Sequence, residues 1–372
     1  MRIAVVSECF LPEVNGVTNS VLRVLEHLEA RGHETLVVAQ GPGPNHHGSH
    51  PVVRVPSVPL PCYRSLRVGM PAPAARRAID RFQPDVVHVA APAVLGASFL
   101  RHARDAGVPS VAIYQTDLVG FAARYGLSVL GRPLRSMLRH VHSTADLTLA
   151  PSSAAVWQLR AAGVERVARW ARGVDISRFH PRHRSEALRA SIAPGAVLVG
   201  TVGRLAAEKR IELLAPLSAI DGVHVVVVGD GPRRSALERA LPDATFLGFR
   251  SGQALSQAVA SLDVFVHAGA DETFCQAIQE AMGAGVPVVA PASGGPLDLV
   301  RHGDTGYLFP ADDPVALRCA VEDLVSDPVR RQAFGRRAHG TVAERTWTSV
   351  GDDLIRHYES VTTGGDVRQI AA

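Results

Sequence analysis

Residues 196–209 read Ala-Val-Leu-Val-Gly-Thr-Val-Gly-Arg-Leu-Ala-Ala-Glu-Lys, an apolar run that ends at a glycine and leads into charged residues. An apolar run of this length is typical of a strand that is buried on both faces of a parallel sheet. Similar runs recur along the chain and alternate with helical patterns. The alternation predicts repeated βα units, and therefore an α/β fold with parallel sheets.

The same pattern runs through both halves of the 372-residue chain, which is long enough for two domains. It predicts strands at 2–7, 35–39, 52–55, 85–90, 109–114 and 146–150, and again at 196–202, 223–229, 244–247, 262–267 and 286–290. A polar stretch that starts at Arg172-Gly173-Val174-Asp175 and runs to Ser185 predicts a hinge. We therefore predict Rossmann-like domains over 1–175 and 176–348, and a C-terminal helix and tail over 349–372 that packs back toward the first domain.

The N-terminus, the apolar runs and the cysteines indicate in which compartment the protein is located. The first strand begins at residue 2, so no signal peptide is expected, and no apolar run approaches the roughly 20 residues of a membrane helix. The four cysteines (Cys9, Cys62, Cys275 and Cys319) lie far apart without metal-ligand spacing, which predicts free thiols in a reducing compartment. The expected location is the cytoplasm.

Charge is distributed unevenly. Residues 1–180 contain 20 arginines and 12 acidic residues, whereas residues 181–372 contain 19 basic and 23 acidic residues. Within the first half, residues 127–141 predict a helix with Leu134, Met137, Leu138 and Val141 on one stripe and Arg132, Arg135 and Arg139 on another. Such a helix can lie on an anionic membrane, or it can be a core helix with a solvated basic face. The sequence leaves both interpretations open.

The strongest local signal is the segment from Gly203 to Lys209, directly after the strand at 196–202. A glycine at the end of a parallel strand lets a ligand approach the sheet edge where α/β proteins bind nucleotides. Arg204 can bind phosphate oxygens in a bidentate manner, and Lys209, the only lysine in the chain, adds a point charge. The segment predicts a diphosphate site.

A second signal is the pair of carboxylates Glu272 and Glu280, which follows the strand at 262–267. A helix that begins near Thr273 would place both on one face, a little over two turns apart. Glu272 would then lie beside free backbone N–H groups that can hold sugar hydroxyls or phosphate, and Glu280 would suit a ribose diol. The competing interpretation is two solvated glutamates on a surface helix.

Weaker signals accompany these two. The Asn15-Gly16 pair precedes the first helix and allows close approach of a phosphate to the helix N-terminus. The segments Gly229-Asp230-Gly231-Pro232 and Ser293-Gly294-Gly295-Pro296 also follow strands and would line the same nucleotide pocket. The loop at 41–50 contains three histidines without partner carboxylates or cysteines, so we expect solvent-exposed side chains there instead of a metal site.

Taken together, these motifs resemble family 4 glycosyltransferases of the two-Rossmann, or GT-B, architecture. The resemblance covers essentially the whole chain and includes Asn15-Gly16, Arg31-Gly32-His33-Glu34, Pro84-Asp85-Val86-Val87-His88, Gly173-Val174-Asp175, Gly203-Arg204 with Glu208-Lys209, and Glu272 with Glu280 followed by Ala281-Met282-Gly283-Ala284-Gly285. Residues 14–21 and 114–117 look like those of the actinobacterial GDP-mannose-dependent α-mannosyltransferases that build glycolipids.

The resemblance implies an N-terminal acceptor-binding domain and a C-terminal nucleotide-sugar domain, with their sheets facing a central cleft. It implies catalytic roles for Arg204, Lys209 and Glu272. The donor contacts that it implies, together with those suggested by the glycine loops, are Gly16, Gln115, Asp117, Gly203, Gly231, Thr273, Phe274, Cys275 and Glu280. Gln115 departs from the family pattern, in which many relatives carry a histidine. It can bind a sugar hydroxyl but cannot carry charge, which puts a proton-transferring role in doubt unless Asp117 shares the work.

The expected reaction is retaining transfer of a hexose, with mannose from GDP-mannose favoured, onto a lipid-linked acceptor such as a phosphatidylinositol mannoside or a glycosyl-diacylglycerol. Glycolipid and phospholipid metabolism, cell wall biogenesis and peripheral attachment to the inner face of the plasma membrane are the expected context. No Asp-x-Asp pair occurs, so neither a metal nor another cofactor is expected. A UDP-hexose donor is the alternative within this class.

Two alternatives come from other classes. An NAD-dependent oxidoreductase would share Rossmann sheets, but the Gly-x-Gly-x-x-Gly fingerprint and its ribose-binding acid are missing. A nucleic-acid-binding protein is prompted by the sequence pI of about 9.1. Aromatic residues make up only 5% of the chain and no basic cluster occurs, so stacking platforms are lacking and nucleic acid is not expected as a partner.

Overall fold

A computed structural model describes residues 1–13, 15–60, 63–117, 120 and 131–364. The chain divides into two compact units. The first contains residues 1–172 and 347–372, and the second contains residues 173–346. Cys62, part of the 14–21 motif (Val14) and residues 127–130 of the helix at 127–141 lie outside the described residues.

Both units are built on largely parallel sheets. In the first unit the strands are β1 (Arg2–Ser7), β2 (Glu34–Gln40), β3 (His46–His47), β4 (His50–Val55), β5 (Ser57–Leu60), β6 (Tyr63–Gly69), β7 (Val86–Ala90), β8 (Ser110–Ile113), β9 (Leu147–Ala150) and β10 (Val167–Arg169). In the second they are β11 (Val197–Val202), β12 (Val223–Val228), β13 (Thr245–Gly248), β14 (Val264–Val266), β15 (Val288–Pro291) and β16 (Gly306–Phe309). Every pairing is parallel except β3 with β4 and β5 with β6. The predicted α/β class with two parallel sheets is confirmed.

Helices connect these strands. The helices are α1 (Gly16–Ala30), α2 (Pro73–Phe82), α3 (Val94–Asp105), α4 (Gly131–Thr144), α5 (Ser153–Ala161), α6 (Glu186–Ile192), α7 (Arg234–Ala240), α8 (Gly252–Ala260), α9 (Gln276–Gly283), α10 (Pro296–Leu299), α11 (Pro314–Ser326), α12 (Pro328–Val342) and α13 (Trp347–Thr362). Helix α1 shows why these segments form helices. Asn15 caps its N-terminus by accepting a hydrogen bond from the Thr18 amide at 2.9 Å, and Val21, Leu25 and Leu28 are buried on one face.

Strand order determines where each sheet can bind a ligand. The first sheet runs β10-β9-β8-β7-β1-β2-β4-β3, and the second runs β13-β12-β11-β14-β15-β16. In both sheets, the connections change direction beside the first strand of the unit. In the first sheet the loops after β1 and β7 therefore lead to opposite sides, and in the second sheet the loops after β11 and β14 do the same. Open α/β sheets bind ligands in the crevice that forms at this switch point.

Helix α13 belongs to the first unit although it follows the second in sequence. The buried Tyr358 hydroxyl hydrogen-bonds to His88 Nδ1 at 2.7 Å, and Trp170 Nε1 donates to the Val350 carbonyl at 2.9 Å. At the surface, Asp352 accepts from Arg31 at 2.6 Å and lies 2.9 Å from His27 Nε2. These contacts fix the helix to the sheet and to α1.

Several elements differ from the prediction. Strands β10 and β16 and the β5–β6 hairpin were not predicted, because each is short or interrupted by glycine, proline or arginine. The loop predicted at 41–50 forms the β3–β4 hairpin. The expectation of exposed histidines there is wrong for His50, which is buried. Its Nδ1 lies 2.5 Å from Thr35 Oγ1, and its Nε2 lies 3.5 Å from Glu29.

Helix α4 contains the described part of the helix at 127–141. Its apolar stripe is directed mainly inward: Val141 is buried, Leu138 packs against a small core around Tyr114, and only Met137 is exposed. The arginines of the other stripe, Arg132, Arg135 and Arg139, are exposed. The apolar stripe therefore packs mainly into the protein, and the basic stripe is the face of this helix that meets solvent. Within the described residues, no helix is both long and apolar enough to cross a bilayer.

Candidate functional site

The loops after β11 and β14 meet at the switch point of the second sheet. The first loop contains Gly203 and Arg204 and then a 3-10 turn that ends at Lys209. The second runs from His267 to Glu272. A Cβ on Gly269 would lie 2.7 Å from the Glu208 carbonyl oxygen, so glycine is required for the two loops to touch. The fold thus brings together the two motifs that the sequence placed 63 residues apart.

Lys209 and Glu272 form an ion pair at this contact, with their side chains 26% and 17% exposed. Burial by itself would lower the pKa of Lys209, but the Glu272 carboxylate outweighs it and raises the pKa above the usual value. Burial likewise would raise the pKa of Glu272, yet Lys209 and His267 hold that pKa well below its usual range. Both groups therefore stay charged at neutral pH.

His267 extends this cluster. It is 4% exposed, and its Nε2 lies 3.4 Å from Glu272 Oε1. Burial would lower the pKa of His267, but Cys275 and Glu272 raise it to about 10. The ligand atoms of His267, Glu272 and Cys275 all lie within 4.8 Å of one another, so the residues beside Lys209 also have the composition of a metal site.

The helix that carries Glu280 begins later than predicted. The expected start near Thr273 is wrong: α9 begins at Gln276, and its N-cap Cys275 has a φ of +74°. Glu272 therefore lies on a loop, not on one helical face with Glu280. Gly294 and Gly295 hold this loop in place, since a Cβ on either would lie within 2.4 Å of the backbone of Glu272 or Phe274. Phe274 and Cys275 are buried.

Glu280 lies in the second turn of α9 and is partly buried. Burial raises the pKa of Glu280 to about 7, although Arg178 and a hydrogen bond from Gln276 act in the opposite direction. Gln276 also donates to the Gly173 carbonyl at 3.0 Å, which ties α9 to the segment before the second sheet. Glu280 is thus a carboxylate whose charge changes near neutral pH.

The other predicted residues of the second unit lie around these loops. Arg204 is exposed two residues beyond β11. Gly231 packs closely, because a Cβ there would lie 2.5 Å from the Leu205 carbonyl oxygen. Gly203 has a different environment: a Cβ would meet nothing within 4 Å, so packing within the chain does not require glycine there.

In the first unit, Gly16 and Gln115 lie at the carboxyl edge of the sheet. Gly16 is the first residue of α1, and a Cβ there would also meet nothing within 4 Å. Gln115 Oε1 accepts a hydrogen bond from Arg172 Nη2 at 2.7 Å. Asp117 accepts from the Gly120 amide at 2.9 Å and from the Tyr114 hydroxyl. Its carboxylate therefore already has local partners.

Two residues of these clusters were not singled out from the sequence. His267 directly follows β14, and its position at a strand end beside the Glu272 loop was the available signal. Arg172 was identified only as part of the hinge. The structure places it 9% exposed, with its guanidinium 5.9 Å from the centre of the Trp170 ring, and burial lowers its pKa to about 10. Arg172 brings positive charge to Gln115, where the sequence had suggested that charge was lost.

Comparison with known proteins identifies the family. Residues 14–178 match the model described as Glycosyltransferase Family 4, and residues 196–327 match Glycosyl transferases group 1. The chain is 50% identical over 369 residues to a protein of Mycolicibacterium smegmatis, covering 97% of this chain and 98% of that one. The chain belongs to glycosyltransferase family 4.

That relative is named GDP-mannose-dependent alpha-mannosyltransferase, as is a protein of Mycobacterium tuberculosis with 48% identity over 97% of both chains. Among solved structures, sucrose-phosphate synthase from Thermosynechococcus elongatus aligns with a TM-score of 0.80 at 18% identity, covering 98% of this family 4 chain and 100% of the other. The resemblance predicted from the motifs and the predicted GT-B fold class are confirmed.

Proposed function

We propose that this family 4 glycosyltransferase is a retaining, GDP-mannose-dependent α-mannosyltransferase that acts on a lipid-linked acceptor. The observation that carries the choice of donor is the near-full-length identity of 50% to a protein named for that donor. Two enzymes that share this much sequence over their full lengths more often use the same nucleotide and sugar than different ones. The proposed chemistry depends mainly on residues of the second unit.

The leaving group is the nucleoside diphosphate of the donor. Breaking the anomeric C–O bond places negative charge on the departing diphosphate, and fixed cations stabilise this charge more in the transition state than in the ground state. Lys209 is held in place by Glu272, and Arg204 is exposed on the same loop. We assign the diphosphate to these two side chains, and no divalent ion takes part in the proposed mechanism.

The sugar and the ribose of the donor would be bound by the loop from Glu272 to Cys275 and by Glu280. The backbone amides of Thr273, Phe274 and Cys275, together with the Glu272 carboxylate, would hold the hexose hydroxyls. Glu280 in its ionised form would accept hydrogen bonds from both ribose hydroxyls. Gly203 would allow close approach of the diphosphate, and Gly231 would maintain the packing of the adjacent loop. The acceptor hydroxyl would attack on the face that the diphosphate leaves, with a phosphate oxygen taking its proton.

The predicted contributions of the first unit concern Gly16, Gln115 and Asp117. The open space at the Gly16 Cα and the terminus of α1 suit a phosphate or a sugar hydroxyl. Gln115, oriented by Arg172, would donate or accept a hydrogen bond with a sugar hydroxyl. Because Asp117 is already bonded to Gly120 and Tyr114, we propose that it positions this loop and does not transfer a proton.

The acceptor proposal rests on the surface of the first unit. Three exposed arginines lie along α4, at 132, 135 and 139. Helix α5 is its neighbour, since Leu138 and Val156 pack against the same small core, and it exposes 71% of Trp157. Exposed arginines on one helix and an exposed tryptophan on the neighbouring helix suit the headgroup region of an anionic bilayer, where the acceptor lipid would reside. We therefore propose peripheral attachment to the membrane through this face.

The donor proposal is tested by thermal-shift measurements with GDP, UDP and ADP, followed by transfer assays with GDP-mannose and UDP-glucose. We expect the largest stabilisation with GDP, and transfer of mannose to a lipid extract containing phosphatidylinositol mannosides or glycosyl-diacylglycerol. A preference for UDP in both assays would contradict the donor assignment and would favour a UDP-hexose-dependent enzyme.

A further inference from the structure

Three potential metal ligands of different chemistry meet beyond the carboxyl end of β14. They are the imidazole of His267, the carboxylate of Glu272 and the thiol of Cys275, with ligand atoms within 4.8 Å of one another. In a tetrahedral zinc site, ligand atoms about 2.0–2.3 Å from the ion lie roughly 3.3–3.8 Å apart. Side-chain movement on the order of 1 Å would therefore bring the three atoms to bonding distance.

A second observation points to a missing partner. His267 is 4% exposed, and its Nε2 has an ion-pair contact with Glu272 Oε1 but no hydrogen bond within the described part of the chain. Buried polar atoms in native proteins nearly always have a partner. The Nε2 atom lies 3.4 Å from Glu272 Oε1, so it is directed toward the other two ligands. A cation bound here would replace the proton on Nε2 and give this nitrogen a direct bonding partner.

We propose that His267, Glu272 and Cys275 form a binding site for a transition-metal ion, with Zn²⁺ as the best-suited ion. Imidazole, carboxylate and thiolate are the ligand types that Zn²⁺ prefers, and a solvent molecule would complete four-coordination. His267 and Cys275 would release their protons to solvent when the ion binds. Mg²⁺ and Ca²⁺ require mainly oxygen ligands, and this cluster offers a single carboxylate. The site therefore discriminates against these two ions.

Metal binding has a consequence for Lys209. The Glu272 carboxylate that would bind the ion is the partner of the Lys209 ammonium, so the ion and the ammonium compete for it. The ion would also lie against the loop from Glu272 to Cys275, in the space that we assign to the hexose. This second part of the inference rests on the proposed function: Zn²⁺ acts as an inhibitor competing with the donor, and not as a cofactor.

Binding is tested with the full chain, freed of metal by a chelator and titrated with Co²⁺. A thiolate ligand gives cobalt an intense charge-transfer absorption, and Zn²⁺ should abolish it by displacement. Cys275→Gly removes the thiol and suits the φ of +74°, so this variant is expected to fold. Cys319→Ser removes an exposed cysteine and serves as the matched control.

We expect one equivalent of Co²⁺ with the absorption in the unmodified chain and in Cys319→Ser. In Cys275→Gly the absorption should be lost and the affinity reduced at least about 10-fold. Absence of the absorption in the unmodified chain, or its persistence in Cys275→Gly, would overturn the site.

Inhibition is tested separately in the mannosyl transfer assay. Zn²⁺ should raise the KM for the donor without lowering kcat, Mg²⁺ should have no effect, and Cys275→Gly should need at least about 10-fold more Zn²⁺ for the same rise. If transfer occurs and Zn²⁺ leaves KM unchanged, the competition is disproved. If the chain does not use GDP-mannose, the proposed function fails while the cobalt measurement still decides the site.

Discussion

Lys209 and Glu272 hold each other in their charged forms at the point where the loops after β11 and β14 touch. The ion pair holds the Lys209 ammonium in place before the donor binds. Donor binding therefore loses little free energy to ordering of the long lysine side chain. The ion pair also explains why the single lysine of the chain is located here. A compact ammonium fits beside this partly buried carboxylate and still presents donors to a second anion.

Replacing the cationic residues should reduce turnover. We expect Arg204→Ala and Lys209→Met each to lower kcat by about 100–1000-fold, because each removes charge stabilisation of the leaving diphosphate. Steady-state transfer assays measure the effect, with Arg239→Ala, an exposed arginine on α7, as the control. Lys209→Met leaves Glu272 without its ammonium, so the thermal melting temperature of each variant is measured to separate lost stability from lost chemistry. Near-normal kcat in either single variant would refute the diphosphate assignment.

Donor affinity should depend on the charge of Glu280. Its pKa of about 7 lies above the usual value because the group is buried, so the carboxylate becomes ionised as pH rises through 7. Only the ionised form accepts from both ribose hydroxyls, and we expect the Kd for GDP to fall about 10-fold between pH 6 and pH 8. Calorimetry with Glu280→Gln provides the comparison, because the phosphates of GDP titrate equally with both proteins. An identical pH dependence in the variant would rule out the ribose role.

Acid should destabilise the first unit through its buried histidines. Burial lowers the pKa of His88 to about 3, with Arg172 adding to the effect, and burial lowers the pKa of His142 to about 4. Unfolded histidine titrates near 6.5, so the unfolded state binds more protons from about pH 6.5 down to 4, and stability falls over that window. We expect His142 alone to account for about 2 kcal/mol of lost unfolding free energy between pH 7 and pH 5.

Urea unfolding followed by tryptophan fluorescence measures this loss in the first unit, because Trp157, Trp170 and Trp347 all lie in it. His142→Phe should flatten the pH dependence, whereas His140→Gln on the exposed face of α4 should leave it unchanged. Equal pH dependence in the His142 variant and the unmodified chain would show that this histidine does not carry the effect.

Membrane attachment should require the basic face of α4. We expect sedimentation with vesicles that contain anionic lipid and none with neutral vesicles, because attraction to the surface contributes about 1 kcal/mol per arginine. Replacing the arginines at 132, 135 and 139 by glutamine should abolish sedimentation, and Trp157→Ala should weaken it. Glutamine replacements at Arg318, Arg336 and Arg337 of the second unit serve as the matched control. Binding that is independent of lipid charge would exclude this mode of attachment.

The sequence predicted the parallel sheets and located most strands, because continuous Val and Leu runs leave few alternatives. The family resemblance also assigned Lys209 and Glu272 to the donor, but the sequence did not predict that β11 and β14 are neighbours, which brings the two side chains into contact. The sequence did not predict where α9 begins, because Cys275 has a positive φ at the N-cap and the loop before it packs against Gly294 and Gly295, which no local sequence pattern shows. The position of Arg172 beside Gln115 likewise depends on tertiary packing.

The direct test of the central claim is the rate of mannose transfer from GDP-mannose in a large excess of EDTA. If Arg204 and Lys209 hold the diphosphate without a divalent ion, the rate should be unchanged or slightly raised. A loss of transfer that added Mg²⁺ or Mn²⁺ restores would contradict the account.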